Sequence, residues 1–301
     1  MSSEPLDRHA LGQALTRLAN ASASDLMPSP RRTLASAAAR RIGLTGAPGA
    51  GKSTLAGHLA LHRAPRQRLG ILAIDPSSPR SGGAILGDRI RMDELQGISE
   101  LYIRSIGSRS TADGLSDNLP EMLDLMDEFG FDEMLLETVG VGQVEYAARV
   151  QVDTLVLLLL PESGDVVQAM KAGIMEMADI FVINKADLPG AQKMATDIKR
   201  IASLARHAEG AWLPSVLLVA SSKPESIAAL SDEINRHQAW LGLGERRAVL
   251  LEQRARYRLR RLIERRAAEV VAGQDPSFFE APMDRQLDLA LRQISRPPTL
   301  P

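Results

Sequence analysis

Apolar positions along the chain follow two rhythms. Seven short runs, at residues 41–45, 70–75, 101–104, 133–137, 154–160, 180–184 and 215–220, are apolar enough for buried strands. Most of the segments between them suit helices, as in residues 54–61, where Leu55, Leu59 and their neighbours recur at helical spacing. This alternation predicts an α/β domain over residues 40–240, with a mostly parallel central sheet covered by helices on both faces. Upstream, Leu11, Leu15 and Leu18 predict a small helical arm within residues 1–39, followed by a Ser-, Pro- and Asp-rich linker from Ala21 to Arg32. Downstream, residues 241–301 read as helix without strands. There Leu251, Ala255, Leu259 and Leu262 share one face, and Arg254, Arg256, Arg258, Arg260 and Arg261 are assigned to the others, so the leucines are expected to pack on the core or on a second subunit.

Composition changes this picture little. A 301-residue chain with 45% hydrophobic and 24% charged residues is an ordinary globular protein, long enough for one large domain with appendages. The net charge of −1 gives no global pull toward nucleic acid or an anionic membrane. Residues 245–266 hold nine arginines against three glutamates, but few aromatics lie among them, so this is read as a solvated helix face rather than a nucleic-acid surface. Without cysteine the chain has no disulfides, thiolate catalysis or cysteine-based metal centres. The greasiest run, residues 153–161, is too short to span a bilayer, and the charged start carries no apolar signal core. A cytoplasmic protein that contacts neither membrane nor nucleic acid is expected.

Candidate chemistry gathers where the apolar runs end. Gly46-Ala47-Pro48-Gly49-Ala50-Gly51-Lys52-Ser53 has two glycines, Gly46 and Gly51, with four residues between them, the second followed by Lys and Ser, and it stands between a strand and a helix. Such a loop folds tightly, aims backbone N–H groups at a pyrophosphate, sends Lys52 to the β- and γ-phosphates and offers the Ser53 hydroxyl to Mg²⁺, with Thr54 following in the first turn. Asn184-Lys185-Ala186-Asp187 follows a strand; a carboxylate at Asp187 can accept from guanine N1–H and its exocyclic amine together, which adenine cannot reproduce, so GTP is favoured over ATP. Ser221 and Ser222, after the last apolar run, are placed to back the base. Glu137 ends a strand and suits the metal-linked acid of phosphate-loop hydrolases, and the Gly140 N–H is a candidate γ-phosphate contact.

These motifs, with residues 72–78, 82–92 (ending GDRIRM) and 137–143 (ETVGVGQ), together resemble the MeaB/ArgK-type GTPases, G-protein chaperones of methylmalonyl-CoA mutase and related cobalamin-dependent acyl-CoA mutases. The resemblance covers roughly residues 40–240. It implies a GTP- and GDP-binding, Mg²⁺-dependent hydrolase that gates cofactor loading of such a mutase and protects or reactivates it. It also implies that Ser53, Asp75, Asp88 and Glu137 serve the metal, that Arg91 and Gln143 lie in mobile switch segments, that Gln168 and Lys171 are catalytic or partner-sensing in a third switch, and that the C-terminal arm makes a homodimer. The chain departs from the family pattern in residues 104–114, at Val144, where the family usually has Ser, and in a short N-terminal arm. A metal-insertion GTPase of the nickel type is the alternative; only His58 and His62, four apart on one helix, offer imidazole ligands together for it. A GTP-dependent interaction protein without turnover is the further alternative.

Overall fold

The computed structural model describes residues 5–27, 38–76, 97–108, 118–138, 143–161, 174–204 and 210–295. Seven strands, β1 (Arg40–Gly46), β2 (Leu69–Pro76), β3 (Leu101–Ser108), β4 (Glu133–Glu137), β5 (Thr154–Leu159), β6 (Ile180–Asn184) and β7 (Ser215–Val219), form one sheet in the order β3-β2-β4-β1-β5-β6-β7. Among the described residues every pairing is parallel, so the sheet expected to be mostly parallel is wholly so there. Each apolar run forms its strand, and β3 continues four residues past the expected end at Arg104.

Parallel strands buried on both faces read as unbroken apolar runs, and the central ones do. All six residues of β5 and all five of β4 and of β6 are buried. Alternate side chains serve opposite layers. Ile42, Leu44, Leu135, Val156, Leu158, Ile180 and Val182 pack with α3 (Lys52–Arg63) and α7 (Pro224–Leu241). On the other face Met134, Leu136 and Leu155 meet α1 (Arg8–Asn20) and α4 (Leu119–Glu128), while Leu157, Leu159, Phe181 and Ile183 meet α6 (Ala191–Leu204). Helix α5 (Gln143–Gln151) joins β4 to β5. Strand β1 is the point where chain order reverses, since β2 and β3 lie beyond β4 while β5, β6 and β7 run the other way. Ligands in open α/β sheets bind at the carboxyl ends beside such a point.

Two expectations for the arms change. The linker after Ala21 contains a helical turn, α2 (Ala23–Leu26), closed by a reciprocal cap between Ser22 and Asp25. It docks on α8 (Arg246–Ala272), the Ala23 N–H donating to Glu269 Oε1 at 2.6 Å and Arg266 to Ser24 Oγ at 2.6 Å. The larger correction concerns α8 itself. Arg254 and Arg258, rather than Ala255 and Leu259, face the α/β domain: Arg254 is 7% exposed and lies near buried Leu250, whereas Leu259 is 59% exposed and Ala255, Arg256 and Arg260 are exposed too. The reason is the surface it meets. Arg254 pairs with the fully buried Asp153 at 2.9 Å, and Arg258 with Glu121 at 2.9 Å and Asp124 at 2.7 Å. An acidic strip on α4 and before β5 thus draws in the guanidinium groups of Arg254 and Arg258 and leaves Ala255 and Leu259 outward. Helix α9 (Met283–Ile294) folds back on α8 and likewise exposes Met283, Leu287 and Leu291, spaced four apart. Among the described residues no helix is long and apolar enough to cross a membrane.

Candidate functional site

The loop between β1 and α3 is built by glycines at positions no other residue fits. Gly46 has φ +146°, and a Cβ there would come within 2.4 Å of the Leu158 carbonyl oxygen. Gly51 has φ +88°, and a Cβ there would stand 2.5 Å from Asn184 Nδ2. The Ala50 N–H closes the turn on the Ala47 carbonyl at 3.1 Å, Pro48 and Gly49 form its exposed crest, and α3 begins at Lys52. Lys52 is buried and its ammonium curls over the loop, donating to the carbonyls of Gly46 (2.9 Å) and Ala47 (3.2 Å). Ser53, also buried, donates its hydroxyl to Glu137 Oε1 at 2.7 Å, and Thr54 is exposed on the first turn. A helix N-terminus offers N–H groups without intrahelical partners and a positive end of its dipole, so loop, lysine and helix together form a cradle for phosphate.

Glu137 reaches Ser53 because β4 lies beside β1, with Glu137 in register with Leu44. A contact missed in the sequence holds these strand ends together. Thr138 donates its hydroxyl to that of Thr45 at 3.0 Å and its N–H to the Leu44 carbonyl at 3.1 Å, with both threonines fully buried. Nothing in a lone Thr after a strand distinguishes it; the pairing appears only once β4 is placed next to β1. Asp75 lies two residues past Ala73, which pairs with Glu137, at the same end of the sheet. A buried hydroxyl beside a buried carboxylate is an all-oxygen donor set, which suits Mg²⁺. Gln143 opens α5. Asp88, Arg91, Gly140, Gln168 and Lys171 lie outside the described residues.

The second motif meets the first through one hydrogen bond. Asn184, the last residue of β6, donates from Nδ2 to the Ala50 carbonyl at 2.7 Å across the end of β5. Lys185 then takes φ +53°, the one left-handed backbone among the described non-glycine residues, and the Ala186 N–H donates to the Val219 carbonyl at 3.0 Å. The turn is thereby fastened to the end of β7. Asp187 stands exposed at the crown, and among the described residues no hydrogen-bond donor or cation meets its carboxylate. Ser221 and Ser222 are exposed in the turn after β7, where the Lys223 N–H returns to the Ala220 carbonyl at 2.9 Å and Ser226 Oγ accepts from the Ala220 N–H at 3.2 Å. Ser226 is a second residue missed, since its role depends on a turn already closed. His58 and His62 are half-buried on α3, and among the described residues no group of three or more His, Asp and Glu could hold a metal ion.

Residues 11–275 match the family profile described as methylmalonyl-CoA mutase-associated GTPase MeaB. A GTPase of Pyrococcus abyssi is 39% identical over 260 residues, covering 85% of this chain and 78% of that one. A GTPase of Mycobacterium tuberculosis is 40% identical over 249 residues, covering 79% and 74%. The mouse mitochondrial methylmalonic aciduria type A homolog is 40% identical over 205 residues, covering 66% of this chain and 49% of the mouse protein. Among solved structures, a protein described as an LAO/AO transport system kinase superposes with a TM-score of 0.66 at 25% identity, over 96% of this chain and 92% of that one. With a profile match over most of its length and relatives that are 39–40% identical, the chain belongs to the MeaB family of phosphate-loop GTPases.

Proposed function

We propose that this GTPase binds and hydrolyses GTP in the service of a cobalamin-dependent acyl-CoA mutase, gating the loading of its cofactor and protecting or restoring the mutase. The observation that carries the nucleotide half is the Asn184–Ala50 hydrogen bond, which joins the phosphate loop to the base-reading turn in one rigid frame. The mutase half rests on the family description and on the name of the mouse relative.

In this reading residues 46–54 cradle the phosphates through their backbone N–H groups, Pro48 excepted because it has none. Lys52 exchanges its two loop carbonyls for the β- and γ-phosphate oxygens and holds the charge that develops as water attacks the γ-phosphate. Asn184, Lys185 and Asp187 take the guanine, with Ser221 and Ser222 behind it. Ser53 and Glu137 hold Mg²⁺ with help from Asp75 and Asp88, and the ion supplies charge neutralisation at the phosphates. Gly140 contacts the γ-phosphate through its N–H, Arg91 and Gln143 act from switch segments, and Gln168 and Lys171 are catalytic or partner-sensing. The apolar faces of α8 and α9, exposed at Leu259, Met283, Leu287 and Leu291, support a homodimer through residues 241–301, outside the GTPase domain at 40–240. The cytoplasm, where GTP is abundant, is the compartment assigned in this reading.

The test is GTP turnover by the purified protein with and without adenosylcobalamin-dependent methylmalonyl-CoA mutase. Slow turnover alone and a rise that saturates with mutase are expected. Turnover that ignores saturating mutase, with no complex on gel filtration, overturns the mutase half and leaves the GTPase standing.

A further inference from the structure

On the far side of the sheet from the base-reading turn, α1 and the edge strand β3 enclose an open trough of about 530 Å³. Its walls are basic. Arg8, His9 and Arg17 from α1 and Arg104 from β3 line it, and among the described residues no acid does. Gly12, with no side chain, forms the low middle of the helix surface, flanked by Gln13 and Thr16.

Two features mark these arginines. The first is charge balance. Arg41, Arg149, Arg254 and Arg258 each meet a carboxylate, whereas among the described residues Arg8, Arg17 and Arg104 meet none. Asp7, the acid just before the helix, is turned to its own cap and accepts from the Ala10 N–H at 2.8 Å. The second is rigidity. Arg8 donates to the carbonyls of Ile98 (2.7 Å), Ser99 (3.1 Å) and Leu101 (2.7 Å), and Arg104 to the Gly12 carbonyl (3.0 Å) and Thr16 Oγ1 (2.9 Å). Both side chains are therefore already ordered, and an incoming anion loses little of its binding to freezing them.

We propose that this trough docks an acidic segment of a partner protein. Shape decides between that occupant and a compact phosphate. Arg8 and Arg17 sit nine residues apart on one helix, about 13 Å along its axis at 1.5 Å per residue. One phosphate group cannot reach both ends, whereas a row of carboxylates on a polypeptide, repeated every helical turn of about 5.4 Å, covers that length in two to three turns. The trough lies three strands from β1 in the sheet order, so docking there does not compete with nucleotide, and the inference stands whether or not the partner is a mutase.

The experiment uses the full chain saturated with GDP and a short, capped, fluorescent peptide carrying glutamate at every fourth position. At low salt the peptide binds, and Arg17→Glu weakens it about tenfold, since one attraction becomes a repulsion. Arg285→Glu, an equal charge change on exposed α9, leaves peptide binding unchanged. Unaltered GDP affinity in both variants shows that they are folded. Peptide binding that is absent, or that falls equally in Arg17→Glu and Arg285→Glu, overturns the proposal. Displacement of the peptide by millimolar pyrophosphate at constant ionic strength also overturns it, in favour of a phosphate site.

Discussion

The contact between Gly51 and Asn184 makes a quantitative prediction about what links the two nucleotide motifs. Gly51→Ala places a side chain at φ +88°, a left-handed conformation that costs an L-residue about 1–2 kcal/mol. It also sets the new Cβ 2.5 Å from Asn184 Nδ2, so the amide must move and its bond to the Ala50 carbonyl is lost, worth about 1 kcal/mol more. Gly49→Ala is the matched control. Its φ is +81°, but its Cβ meets nothing within 4 Å, so only the conformational part applies. Urea unfolding of nucleotide-free protein should therefore show Gly51→Ala less stable than Gly49→Ala by about 1 kcal/mol. In an Asn184→Ala background the two should become equal, because the amide that is struck has gone. If Gly51→Ala is no worse than Gly49→Ala in the natural protein, the two motifs are not mechanically joined in the way described.

Arg254→Ala should cost about 3–5 kcal/mol in the same unfolding assay, since it strips the guanidinium from buried Asp153 and frees one anchor of α8. Burial pulls the Arg254 pKa down to about 10, against the pull of Asp153, so the cation persists at neutral pH and the loss should be nearly constant between pH 6 and 8. Burial raises the Asp127 pKa above its ordinary 3.8, although Arg41 opposes the shift. The folded state then holds a proton that the unfolded chain has released, so this group's contribution to stability falls as pH climbs from about 3.8 through the raised value. The stability difference between natural protein and Asp127→Asn should decline over that window and level off above it; a difference that grows with pH contradicts the assignment. Leu287→Asp, in the middle of the exposed α9 stripe, should shift the protein toward monomer in sedimentation while leaving GTP affinity unchanged.

The sheet was legible because its strands are short apolar runs separated by helix-compatible segments, a rhythm that parallel packing demands. The loop at Gly46 to Ser53 and the turn at Asn184 to Asp187 were legible because backbone geometry and base shape restrict which residues can stand there. What escaped depends on neighbours far away in sequence. The Thr138–Thr45 contact and the Ser226 cap exist only after strand order and turn closure are known. The orientation of α8 escaped for the same reason. Its leucines and arginines both repeat at helical spacing, and only the acidic surface of Glu121, Asp124 and Asp153 decides which face turns inward. The helical turn at Ala23–Leu26 was hidden by linker-like composition and is held by Glu269 and Arg266, some two hundred and forty residues away.

The central claim is that one exposed acid at the crown of β6 selects guanine for a loop that holds its phosphates. Steady-state hydrolysis of GTP and xanthosine triphosphate by Asp187→Asn tests it most directly. Asparagine should cut kcat/KM for GTP by several orders of magnitude and raise it for xanthosine triphosphate, whose 2-oxo group can accept from the new amide. An unchanged preference for GTP would contradict the account.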